Sequence, residues 1–265
     1  NVVSISPDRP VFGAMDVAIE ATGASRITDY FGYTGKGVTV AVIDSGLTPS
    51  AAIPGSRILD RIDFTGYNQK NDGFGHGTHV AGIIGGSGAG GAVRGVAPDV
   101  QFLSLRALDD EGAGYASNVI AAIEFAIEHR VEYRIRVLNL SLGHPPRESF
   151  RTDPLNRAVQ RAWAAGIVVV ASAGNTGPDP MTVGVPGNVP YIITVGAMTD
   201  NYSPEDSSDD MMAARMPAVS RPASTGVVIS GVILYAGWVT FQRAARRMVD
   251  GERSGAMVAL SSVAG

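Results

Sequence analysis

Val38-Thr39-Val40-Ala41-Val42-Ile43, running straight into Asp44-Ser45-Gly46, is the stretch that decides the fold. It follows a polar lead-in ending at Lys36-Gly37. The run is almost continuously apolar and rich in β-branched residues. Such a run suits a strand covered on both faces in a parallel sheet, where no solvent side forces alternation. Its carboxyl end carries a carboxylate and then a turn.

The same grammar repeats outward from there. His76 to Gly85 predicts a helix with Val80, Ile83 and Ile84 on one face, and Asp99 to Leu108 a second strand built on Val100, Phe102, Leu103 and Leu105. Ser117 to Glu128 places Val119, Ile120, Ile123 and Ile127 at helical spacing, with Ser117 as the expected N-cap. Arg136 to Leu142 reads as a strand, Asp153 to Ala165 as a helix capped by Asp153, and Ile167 to Ala171 and Tyr191 to Gly196 as further strands. Strands alternating with helices at these spacings predict an α/β fold with a mostly parallel sheet. Sites in such folds lie outside the carboxyl ends of the strands. Asp44, Ser141 and Asn175 all fall at or just past such ends.

Composition narrows the class. With 45% apolar and 17% charged residues over 265 positions, the chain has material for a sizeable core and lies far from disordered sequences. Its 33 glycines suit close backbone approach to a ligand and a turn-rich scaffold equally well. A net charge of −4, with no stretch of interleaved basic and aromatic residues, argues against nucleic acid as a partner. The absence of cysteine excludes a thiol nucleophile, a thiolate metal site and disulfides. Asn1 to Pro10 has neither a basic n-region nor an apolar h-region, so it reads as no signal peptide but an extended segment entering mid-protein.

Three segments carry chemistry. They are Ala41-Val42-Ile43-Asp44-Ser45-Gly46, Gly75-His76-Gly77-Thr78-His79-Val80-Ala81-Gly82 and Ala171-Ser172-Ala173-Gly174-Asn175. Taken singly, each has an ordinary reading. Asp44 is a turn or cap residue, Gly-His-Gly is a turn, and Asn175 is a turn former. His76 and His79 suggest a metal, but no third ligand stands at a recognised spacing. In this order and between such strands, they resemble the subtilisin-like serine peptidases, whose motifs run Asp, His, oxyanion Asn, Ser along the chain.

The resemblance implies a three-layer subtilisin-like fold, its sheet flanked by helices, and peptide-bond hydrolysis by acyl transfer. A serine hydroxyl attacks only when a histidine takes its proton, and that histidine needs a carboxylate to fix its tautomer. By resemblance Asp44 orients, His76 is the general base and Asn175 donates to the oxyanion, a contact whose loss costs roughly 10²–10³ in rate in this family. Leu140-Ser141-Leu142-Gly143 is similar to one wall of the specificity pocket. Asp110-Glu111-Gly112-Ala113-Gly114 is similar to the segment that pairs with an extended substrate. Ser141, Leu142, Gly143, Gly112, Ala113 and Gly114 are therefore the expected substrate contacts. Peptide or protein substrates, an inhibitory propeptide ending near Ser4 to Val11, and an extracellular workplace are implied in the same way. No organic cofactor is expected. Calcium is common in the family, but no ligands for it are assigned here.

The string matches stop near Ala213. Ser-Ser-x-Gly-Pro, Ala-Pro-Gly and the nucleophile string Gly-Thr-Ser-Met-Ala are all missing. In the loosest fit, Ser254-Gly255-Ala256-Met257-Val258-Ala259, a methionine takes the nucleophile's place, and a thioether cannot perform acyl transfer. Residues 222–242 form an uncharged run followed by Gln242-Arg243-Ala244-Ala245-Arg246-Arg247. Buried strands are the favoured reading of that run, and a membrane span with a basic flank is the lesser one. A truncation, fusion or shifted reading frame is a further reading of the tail. The expected division is 1–25 as lead-in or propeptide tail, 26–213 as an incomplete peptidase domain, and 214–265 as a divergent segment, non-native or membrane-associated. A non-catalytic peptide-binding relative is the alternative function.

Overall fold

Every residue of β1 (Thr39–Asp44) is buried, as a strand with no solvent face must be. Its side chains alternate between two cores. Ala41 and Ile43 join Leu103, Leu105, Val119, Ile123, Leu155 and Val159 in one core. Val40 and Val42 join Val80, Ile84, Phe102, Val137 and Val170 in the other. Full burial of each large aliphatic side chain contributes about 1.5–3 kcal/mol. The computed structural model describes residues 24–91, 94–176, 181–197 and 227–228.

Around β1 the sheet is assembled from β2 (Ile58–Asp63), β3 (Gln101–Arg106), β4 (Ile135–Leu140), β5 (Val168–Ser172), β6 (Ile193–Ala197) and β7 (Val227–Val228). Their order is β2-β3-β1-β4-β5-β6-β7. The first six run parallel, and β7 pairs antiparallel with the end of β6. The second core lies under α2 (His76–Gly85), which contributes Val80, Ala81 and Ile84. The first lies under α3 (Ala116–Glu128) and α4 (Pro154–Ala164). A short helix, α1 (Ala24–Phe31), precedes the sheet. The result is the three-layer α/β architecture that the sequence implies. Because β1 to β6 are parallel, Asp44, Asp63, Arg106, Leu140 and Ser172 all end strands on one edge.

Sequence and structure agree on α2 to the residue. They differ at the start of α3, which begins at Ala116 behind Tyr115, with no side-chain cap. Ser117 therefore sits inside the first turn and is not the N-cap. Asp153 does cap α4: its carboxylate accepts from Asn156 N at 2.9 Å, and Pro154 at the first helical position needs no partner for an N–H it lacks. Ser4 to Val11 and Ser254 lie outside the described residues, as does the 222–242 run apart from Val227 and Val228. Among the described residues, no helix is long and apolar enough to cross a membrane.

Candidate active site

Asp44 is the last residue of β1 and His76 the first of α2, so the strand end and the helix start must meet for the two to pair. They do. His76 Nδ1 donates to Asp44 Oδ1 at 2.7 Å, with Asp44 fully buried and the imidazole 18% exposed. Ser45 N also donates to Asp44 Oδ1, at 2.7 Å. This fixes the tautomer with Nδ1 protonated and leaves Nε2 as the basic nitrogen. The hydrogen bond to Asp44 raises the proton affinity of His76. Burial opposes this, and the charges of Asp44 and Asp72 add to it.

The close approach depends on a missing side chain. A Cβ on Gly77 would overlap the Gly46 carbonyl oxygen and stand 3.1 Å from Asp44 Cβ. Helix propensity alone favours alanine over glycine by about 1 kcal/mol. Here the overlap is with rigid backbone, and overpacking outweighs that gain. Gly77→Ala is expected to lower stability by about 2 kcal/mol in chemical denaturation. A stabilised variant would show that the contact is looser than described.

Arg106 ends β3 with its side chain 2% exposed. Nε donates to the Ser45 carbonyl at 3.0 Å and Nη2 to Asp110 Oδ1 at 2.9 Å, while Nη1 lies 3.7 Å from Asp63 Oδ2. Asp63 accepts from Thr65 N and Oγ1 and from Gln69 N. Burial pushes its carboxyl up, but these hydrogen bonds and the Arg106 charge outweigh burial and hold it below the usual range. One guanidinium thus ties the Asp44 strand end to the two neighbouring loops. Arg106 stands in no motif string. Its signal was a charge inside a run otherwise suited to full burial.

Gly112, Ala113 and Gly114 lie in the loop between β3 and α3. That loop closes on itself: Asp109 N donates to Ala113 O at 2.7 Å, and Ala113 N to Asp109 Oδ1 at 2.9 Å. Gly112 (φ +74) sits against the Phe74 ring, whose centroid is 6.4 Å from that of His76. Ser141, Leu142 and Gly143 leave the end of β4. Asn139 Nδ2 donates to Ser141 Oγ at 2.9 Å, and the paired hydrogen bonds between His144 and Val185 hold the segment from beyond. Asn175 is exposed in the turn after β5, behind Gly174 at φ +93. Among the described residues, Asp44, Gly112 to Gly114, Ser141 to Gly143 and Asn175 therefore lie at or just past the carboxyl ends of strands, with His76 paired to the first of them. Among the described residues, no serine hydroxyl is hydrogen-bonded to His76. Nor, among them, does any group of three or more His, Asp or Glu side chains form a pocket for calcium or another metal.

The model of the subtilase family matches residues 35–255, running past Ala213 and through Ser254. Serine protease AprX of Bacillus subtilis (strain 168) is 37% identical over 246 residues, covering 88% of this chain and 55% of AprX. Subtilisin DY of Bacillus licheniformis is 34% identical over 209 residues, covering 76% of this chain and 73% of that protein. Among solved structures, the S41 psychrophilic protease superposes with a TM-score of 0.58 at 31% identity, covering 69% of this chain and 61% of that one. The chain thus spans little more than half the length of AprX.

Proposed function

This chain belongs to the subtilase family, and from that footing we propose that its site is built for serine-type endopeptidase chemistry on peptide or protein substrates. The observation that carries the reading is the 2.7 Å hydrogen bond from His76 to the buried Asp44 at the carboxyl edge of a parallel sheet. In the cycle, Nε2 of His76 takes the proton of an attacking serine hydroxyl and later delivers it to the leaving amine. Asp44 holds the ring and stabilises the imidazolium. Asn175 offers a side-chain N–H to the developing oxyanion. The backbone of Gly112 to Gly114 pairs with an extended substrate, and Ser141 to Gly143 wall the pocket beside it. An inhibitory propeptide and an extracellular workplace go with this reading by family.

Among the described residues, no serine hydroxyl is placed to serve as the attacking group. The absence of Gly-Thr-Ser-Met-Ala from the sequence favours a second reading for the chain as it stands, a peptide-binding cleft without turnover. Fluorescence anisotropy with a labelled unstructured peptide tests the cleft. Saturable binding is expected, weakened when Gly114→Val puts a side chain into the Ala107 carbonyl that it faces. A variant that binds as well as the parent would remove the cleft from the proposal.

A further inference from the structure

Asp72 takes no proton and touches no substrate in the chemistry above, yet it is the most heavily hydrogen-bonded carboxylate beside it. It lies in the loop between β2 and α2. Its Oδ1 accepts from Gly75 N at 2.7 Å and from Ser45 Oγ at 2.8 Å. Its Oδ2 accepts from Thr78 N at 2.8 Å and Thr78 Oγ1 at 2.6 Å. Its own N–H donates to Thr48 Oγ1 at 3.0 Å, and Thr48 N to Thr78 Oγ1 at the same distance. The start of a helix leaves several N–H groups without partners, and Gly75, the N-cap of α2, has no side chain with which to satisfy them. Asp72 supplies that cap from outside the helix.

Ser45 extends the arrangement to the catalytic carboxylate. Its hydroxyl has one proton, and Asp72 Oδ1 at 2.8 Å is a nearer acceptor than Asp44 Oδ1 at 3.2 Å. Ser45 Oγ in turn accepts from Gly77 N at 3.0 Å. The backbone on both sides of His76 is thereby held, while the imidazole itself is left free to turn over protons. We infer that Asp72 is a positioning residue for His76: it clamps the first turn of α2 to the end of β1 through Ser45, and holds its carboxylate charge at the start of the helix that carries His76.

Asp72 carries that charge at neutral pH. Burial pushes its carboxyl up, but hydrogen bonds from Thr78, Gly75 and Ser45 outweigh burial and hold it below the usual range. Among the described residues, the charges that act on His76 are Asp44 from β1 and Asp72 from the loop before α2, with the Phe74 ring as a neutral neighbour. The role is stated for His76 as the base, and so rests on the proposed function.

The test is an NMR titration of the full chain, whose four histidines, His76, His79, His129 and His144, are few enough to follow singly. Asp72→Asn is expected to lower the pKa of His76, by less than Asp44→Asn does, and to speed amide exchange at Gly75 and Thr78. Ser45→Ala keeps the charge and cuts the bridge, so it is expected to speed exchange at Gly77 while His76 keeps a higher pKa than in Asp72→Asn. An unmoved His76 pKa in Asp72→Asn overturns the inference. Should that variant fail to fold, unchanged Gly77 exchange in Ser45→Ala overturns it instead. Neither readout requires peptide cleavage. Loss of the endopeptidase reading would therefore show in binding and turnover, and failure of the clamp would show here.

Discussion

A serine-directed fluorophosphonate is expected to leave this chain unlabelled, and its turnover of a quenched peptide to fall about 10⁶-fold below that of an intact subtilase. That is the size of loss known for removing the serine or the histidine in this family, because the residues act as a unit. The Asp44–His76 pair raises the basicity of Nε2 but has nothing to deprotonate among the described residues. Mass spectrometry of the probe-treated chain gives the answer directly. Labelling at Ser254, abolished by His76→Ala, would make this chain a working peptidase with a rearranged nucleophile loop. Appending a segment with Gly-Thr-Ser-Met-Ala and recovering labelling there would instead show that the cleft was complete but for that serine.

Arg106→Ala is expected to destabilise the fold by about 3–5 kcal/mol, the usual cost of removing one partner from a buried ion pair. Asp63, with its side chain only 5% exposed, would lose its nearest cation, and the Ser45 carbonyl and Asp110 would lose a donor. The vacated volume adds to the loss. Chemical denaturation measures it. A change below about 1 kcal/mol would mean that water replaces the guanidinium, and that the strand end and the two loops are not held by it.

The sequence was most legible where burial was most complete. β1, β4 and β5 are buried along nearly their whole length because helices cover both faces of the sheet, and the histidine motif placed α2 where its glycines let it approach β1. Strand β2 went unread. It is an edge strand, half-buried along its length, and its Asp60, Arg61 and Asp63 break any apolar pattern. Ser117 misled because a good capping residue one position inside a helix looks the same in sequence as one at its boundary. Asp44 and His76 were found because each stands in a distinctive string. Arg106, Asp72 and Ser45 were not, because what marks them is a set of partners distant in the chain, as Ser45 is from Asp72 and Arg106 from Ser45.

The place of β1 in the sheet has a consequence for how the molecule is made. The strand that carries Asp44 is the first among the described residues but lies inside the sheet, with Gln101 opening the neighbour on one side and Ile135 the neighbour on the other. Neither pairing is local, and the loops that must close before either forms are long, which is the topology of slow folding. A nascent chain that has emerged only as far as His79 already has both members of the hydrogen-bonded pair but no frame to hold them. The scaffold beneath the site exists only once β4 has docked, so a newly made chain passes through a period in which a hydrophobic strand is exposed while its partners are still being synthesised.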